Sequence, residues 1–215
     1  MDRRSPSLGV YVVTSSGFVP GRGHREVALA AIEGHADAVQ LRAPELTDDE
    51  LLPLATELAA TCRRSGVLFV VNDLVRVAVE SGADGVHLGQ GDELQGARER
   101  LGPDRVLGIS VAAPEEALTA EAAGADYLGV TVWATATKPE ARPQGIEGLR
   151  LVVAATSLPI VGIGGIDASN AAEVLEAGAV GVAVISAVGA ARDPAAATKE
   201  LADVVRLQRR KVGER

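Results

Sequence analysis

Two aspartates, Asp73 and Asp92, each follow a short apolar run, and amides and cations accompany them along the chain: Gln40-Leu-Arg42, Asn72-Asp73, Gln90-Gly-Asp92, Ser110 and Thr135-Ala-Thr137-Lys138. Two carboxylates beside an Asn and a Gln suit a Mg²⁺ ion that keeps several waters and binds substrate phosphate. Arg42 offers a planar fork for phosphate oxygens and Lys138 a mobile point charge. Taken singly, each Asp reads as the N-cap of a following helix. Taken together with Arg42 and Lys138, they read as a site for Mg²⁺ and a pyrophosphate.

Further along, Val161-Gly-Ile-Gly-Gly165 and Val184-Ile185-Ser186 resemble runs whose backbone N–H groups cradle a phosphate, glycine allowing close approach. A tight turn without ligand is the competing reading. The first run lacks the GxGxxG spacing of a dinucleotide fingerprint. His87 lies in an apolar strand and reads as a satisfied core histidine, while His24 and His35 flank a helix and read as solvent-facing. No Ser-His-Asp set, zinc spacing or Walker loop is present. Trp133, the only Trp, reads equally as a pocket wall and as packing beneath its loop.

Elements that could bring these residues together alternate along the whole chain. Apolar runs at 9–14, 38–41, 68–72, 85–88, 106–110, 127–132, 159–162 and 181–185 read as strands, with amphipathic stretches between them. In one such stretch, residues 47–65, apolar residues recur at helical spacing behind the capping box Thr47-Asp-Asp-Glu50, and Pro53 is expected to kink the first turns. The segments 81–85, 123–126 and 177–181 repeat one device, a helix closing at a glycine just before a strand. Eight such pairs in one α/β domain predict a single (β/α)₈ barrel over 1–215 with flexible ends at 1–7 and 210–215; a doubly wound open sheet is the rival. In such a barrel, chemistry gathers on the loops that follow the strands, where the polar residues above fall.

Composition agrees. Of 215 residues, 47% are hydrophobic but only 2% aromatic, so the core must be built from Val, Leu, Ile and Ala. The net charge of −8 opposes binding to nucleic acid or anionic lipid, and the basic run at 206–211 reads as a solvated helix end. A lone Cys62 points to a reducing compartment, and no segment reads as a signal peptide or membrane span, so a soluble, cytoplasmic protein is expected. Oligomeric state is left open, a homodimer included.

In order and spacing, Val39-Gln-Leu-Arg42, Val71-Asn-Asp73, the run 83–92 (ADGVHLGQGD), Gly108-Ile-Ser110, Thr135-Ala-Thr-Lys138, Ile163-Gly-Gly-Ile166 with Asn170-Ala171, and the run 181–187 (GVAVISA) resemble the thiamine phosphate synthase (thiamine-phosphate pyrophosphorylase) family, which includes thiazole tautomerase paralogues. The resemblance implies a transferase that joins 4-amino-2-methyl-5-pyrimidinylmethyl diphosphate to a thiazole phosphate, releasing pyrophosphate with the help of Mg²⁺. Carried over by position, Asp73 and Asp92 would hold the metal. Gln40, Arg42, Asn72, Ser110 and Lys138 would hold the pyrimidine diphosphate, with Arg42, Lys138 and Ser110 nearest the reaction. Thr135, Thr137, Gly165, Ile185 and Ser186 would hold the thiazole phosphate. The resemblance also implies a pyrimidine methylene cation captured by the thiazole nitrogen, so that positioning and exclusion of water carry the catalysis.

The chain departs from the family pattern at several points. Pro44 replaces a Lys expected in the diphosphate clamp, Leu74 an Arg, and Ala134 a Pro. Ala112 stands where the tautomerases carry their catalytic His, which argues against that activity. A thiazole-phosphate enzyme without the coupling reaction and a catalytically silent barrel are the alternative functions.

Overall fold

A computed structural model of the chain describes residues 6–89, 94, 96–135 and 141–213. The strands are β1 (Val10–Val13), β2 (Ala38–Leu41), β3 (Leu68–Asn72), β4 (Gly85–Leu88), β5 (Val106–Val111), β6 (Tyr127–Thr131), β7 (Ile160–Ile163) and β8 (Gly181–Val184). They pair in chain order, every pair parallel, and β8 returns to β1 through Val10–Val182, Tyr11–Ala183 and Val12–Val184. That return excludes the open doubly wound sheet, because no strand is left at an edge.

The helices are α1 (His24–Glu33), α2 (Asp48–Ser65), α3 (Val75–Glu80), α4 (Ala97–Leu101), α5 (Pro114–Ala122), α6 (Gly145–Ala155), α7 (Ala171–Glu176), α8 (Ser186–Gly189) and α9 (Pro194–Gly213). Thr47 caps α2 with the reciprocal Glu50 bond expected from the capping box. Pro53 does not interrupt that helix. It is exposed and lies in the second turn, so the carbonyl it leaves without a donor belongs to the equally exposed Asp49. None of the described helices is long and apolar enough to cross a membrane.

Period-two alternation along each strand divides the apolar residues into two sets. Val12, Val39, Phe69, Val71, Val86, Leu107, Leu128 and Val182 face the helices, in a cluster with residues such as Val27, Leu58 and Leu149. Tyr11, Val13, Ala38, Leu68, Val70, Val106, Tyr127, Val161 and Ala183 fill the barrel interior. The interior is therefore filled by side chains, and the open end of the barrel is its C-terminal mouth.

Aspartates just before the even-numbered strands latch the N-terminal rim. Asp37 accepts from Val10 N–H, Asp84 from Phe69 N–H and Asp126 from Leu107 N–H, at 2.8–2.9 Å. Each carboxylate thus satisfies a donor on the preceding strand that parallel pairing leaves open. Asp126 also pairs with Arg98, whose guanidinium bonds the carbonyls of Gly102, Arg105 and Gly124. Replacing Asp84 with Ala strands the buried Phe69 N–H, so stability in urea melts is expected to fall by about 1–3 kcal/mol; an unchanged midpoint would show that the latch contributes nothing.

Candidate active site

The strand ends bring most of the sequence-flagged residues to one mouth. Gln40 on β2 is 5% exposed, and its Nε2 donates to Tyr11 Oη at 2.9 Å. Arg42 follows two residues later, its backbone N–H on Thr14 Oγ1 at 3.3 Å. Asn72 closes β3 and donates its amide to the Asp73 carboxylate. Asp73 holds a left-handed backbone (φ 62°), with its N–H on the His87 carbonyl at 2.8 Å. That geometry is uncommon for a residue with a side chain, and Asp73 borders a cavity shared with Asp48, Arg76, Glu80 and Arg100. The residue that actually precedes α3 as its N-cap is Leu74, so the capping reading of Asp73 gives way.

Ser110, on β5, accepts or donates across 2.9 Å to His87 Nε2. Thr135, Gly165, Ile185 and Ser186 line one cavity of about 330 Å³ beneath the loops that follow β6, β7 and β8. Gly165 has φ 65°, and a Cβ there would stand 3.1 Å from Trp133 Cβ and 3.3 Å from the Ala134 carbonyl. With each loop numbered by the strand it follows, the glycine is therefore required by the turn and by the approach of loop 6, whatever the cavity holds. Trp133 is half-buried and packs against the outer core cluster. Asp167 also borders the cavity, and hydrogen bonds from the Ser169 hydroxyl and N–H hold its carboxyl below the usual range. Gln90, Asp92, Thr137 and Lys138 lie outside the described residues.

His24 is not solvent-facing as its sequence position suggests; it is 6% exposed. As the first residue of α1 it packs against the end of β1, where the buried Thr14 hydroxyl needs a partner. Its Nδ1 lies 3.0 Å from Thr14 Oγ1 and its Nε2 2.8 Å from Glu45 Oε1, and Ser16 donates to the same carboxylate oxygen. Burial acts to raise the Glu45 pKa, but bonds from Ser16, His24 and its own backbone N–H prevail and bring it down to about 2. Loop 2 is thereby clasped to loop 1 on both sides of Pro44, through Glu45 and through the Arg42 N–H. His35, by contrast, is exposed, as expected.

Sequence reasoning missed a polar line inside the barrel. Tyr11, Tyr127 and His87 connect Gln40 to Ser110 by hydrogen bonds. Tyr residues in apolar strands read as core, and here they are also core. The available signal was the pair of inward glycines: a Cβ on Gly108 would overlap the Tyr127 ring, and one on Gly129 would sit 3.1 Å from His87 Cε1.

As a donor set for Mg²⁺, the described residues offer the Asp73 carboxylate and the Asn72 amide. No cluster of three or more His, Cys, Asp or Glu forms among them. A sparse oxygen set fits this ion, which keeps waters and takes much of its coordination from substrate phosphates.

The chain is similar to known proteins over most of its length. A family profile described as thiamine monophosphate synthase matches residues 10–188. The thiamine-phosphate synthase of Natronomonas pharaonis is 50% identical over 203 residues, covering 92% of this chain and 95% of that protein. That of Moorella thermoacetica is 46% identical over 209 residues, covering 96% of this chain and 100% of that protein. The solved structure of thiamine phosphate pyrophosphorylase from Pyrococcus furiosus superposes with a TM-score of 0.87 at 41% identity, covering 94% of this chain and 98% of that one.

The clasp at Glu45 has a definite pH signature. A carboxyl at about 2 when folded and near 4.5 when unfolded stabilises the fold above pH 4.5, a contribution lost as pH falls from 4.5 toward 2. Glu45→Gln is expected to flatten the fall of stability in that window, measured by denaturant melts at successive pH values; parallel curves for variant and parent would contradict the clasp.

Proposed function

The chain belongs to the thiamine monophosphate synthase family, and on that premise we propose that it couples 4-amino-2-methyl-5-pyrimidinylmethyl diphosphate to a thiazole phosphate, forming thiamine phosphate and pyrophosphate. It is a transferase of thiamine biosynthesis acting on small phosphorylated substrates. The observation that carries the reading is the convergence of Thr135, Gly165, Ile185 and Ser186 on one cavity, at a mouth that also holds Gln40, Asn72, Asp73 and Ser110. Two phosphorylated substrates need two such regions.

In this reading Asp73 and Asp92 hold Mg²⁺, which when bound supplies positive charge against the departing pyrophosphate. Arg42 and Lys138 bind the diphosphate oxygens as negative charge collects on them. Thr135, Thr137 and Ser186 offer hydroxyls, and Gly165, Ile185 and Ser186 backbone N–H groups, to the thiazole phosphate. Gln40, Asn72 and Ser110 orient the pyrimidine, and the packed interior below them keeps water from the reacting carbon. No general base is required, because the thiazole nitrogen attacks with its own lone pair. The clasp of loop 2 supports this role for Arg42, because it fastens the backbone on both sides of Pro44. A cytoplasmic setting is part of the reading, supported by the free, buried Cys62, whose thiol burial pushes up to about 12.

Purified protein given both substrates and Mg²⁺ is expected to form thiamine phosphate, and folded protein that forms none would contradict the assignment. Asp92→Asn is expected to cut turnover by about a hundredfold or more while leaving the melting curve in place; unchanged turnover would remove the metal role.

A further inference from the structure

Five polar side chains cross the barrel interior as one hydrogen-bonded line. Gln40 Nε2 lies 2.9 Å from Tyr11 Oη, Tyr11 Oη 2.9 Å from Tyr127 Oη, Tyr127 Oη 2.9 Å from His87 Nδ1, and His87 Nε2 2.9 Å from Ser110 Oγ. The two ends are substrate residues in the proposed function, and the three middle members have no role there. Their rings are held by close packing, Tyr11 and Tyr127 at 6.0 Å between centroids and His87 and Tyr127 at 5.4 Å.

Counting protons fixes the direction of the line. Tyr11 is 2% exposed and Tyr127 fully buried, and burial holds both phenols protonated well above the ordinary range. Each hydroxyl has one proton to place, and a buried donor left without an acceptor bears its full desolvation cost. The Gln40 amide already donates to Tyr11, so the Tyr11 proton goes to Tyr127. Tyr127 then gives its own proton to His87 Nδ1. A histidine that accepts at Nδ1 carries its proton on Nε2, aimed at Ser110 Oγ. Running the line the other way strands the Tyr11 proton, and an imidazolium at His87 strands that of Tyr127.

We propose that this line sets the polarity of the Ser110 hydroxyl: Ser110 accepts from His87 and presents its own proton at the barrel mouth, as a donor to an acceptor atom of the pyrimidine diphosphate. His87 is then a positioning residue, acting through Ser110 and needed as the neutral Nε2–H tautomer. Only the identity of the acceptor rests on the proposed function; the tautomer rests on the protein alone.

The chain has three histidines, so ¹⁵N-histidine NMR of the intact protein reads this directly, with His24→Gln and His35→Gln used for assignment. At neutral pH His87 is expected as the Nε2–H tautomer; an Nδ1–H tautomer or an imidazolium overturns the proposal, whether or not the protein makes thiamine phosphate. Tyr127→Phe keeps the ring and removes the oxygen that donates to Nδ1. Its His87 signals are expected to leave the pure Nε2–H position, and KM for the pyrimidine diphosphate to rise roughly tenfold with KM for the thiazole phosphate unchanged. A folded variant with both KM values unchanged overturns the positioning role.

Discussion

Pairing of β1 with β8 closes a ring of strands, several of only four residues, and the rest of the molecule follows from that closure. With every strand parallel, all eight C-terminal ends reach one rim, so polar residues scattered from Gln40 to Ser186 become neighbours. The interior must then be filled from inward side chains alone. Tyr11 and Tyr127 do much of this, each bringing a hydroxyl that has to be satisfied away from water. The hydrogen-bonded line through His87 is the consequence: a packing requirement low in the barrel becomes an orientation imposed on Ser110 at its mouth.

The two rims meet different demands. On the N-terminal side Asp37, Asp84 and Asp126 satisfy strand N–H groups, a structural task that ties alternate strands to the chain that follows them. On the C-terminal side Asp73 adopts a left-handed backbone, a conformation with a local energetic cost. Loop 2 combines both characters. It carries Arg42, departs from the family pattern at Pro44, and is fastened to the buried His24 through Glu45. In the proposed function, fixing the loop by a buried contact lowers the entropy lost when Arg42 engages the diphosphate.

The barrel was legible in the sequence because apolar runs of β length recur with amphipathic stretches between them, and each of the eight runs lies within two residues of its strand. The cavity lined by Thr135, Gly165, Ile185 and Ser186 was legible as a cluster because these residues stand immediately after strands. His24 was misread because a histidine at a helix start gives no sign of which neighbour it will meet; Thr14 and Glu45 come from loops whose courses are set by tertiary packing. The line through Tyr11, Tyr127 and His87 was hidden for a related reason. Its members are 116 and 40 residues apart along the chain, and an inward tyrosine looks the same in sequence whether its hydroxyl is bonded or not.

The central claim is that one rim is divided into a metal and diphosphate half and a monophosphate half. A crystal structure of the protein with Mg²⁺, pyrophosphate and thiamine phosphate tests it most directly. The account predicts pyrophosphate and the metal against Arg42 and Asp73, with the thiamine monophosphate group on the N–H groups of Gly165 and Ser186. Both phosphate groups bound at the loop 7 and loop 8 cavity, with no metal at Asp73, would contradict it.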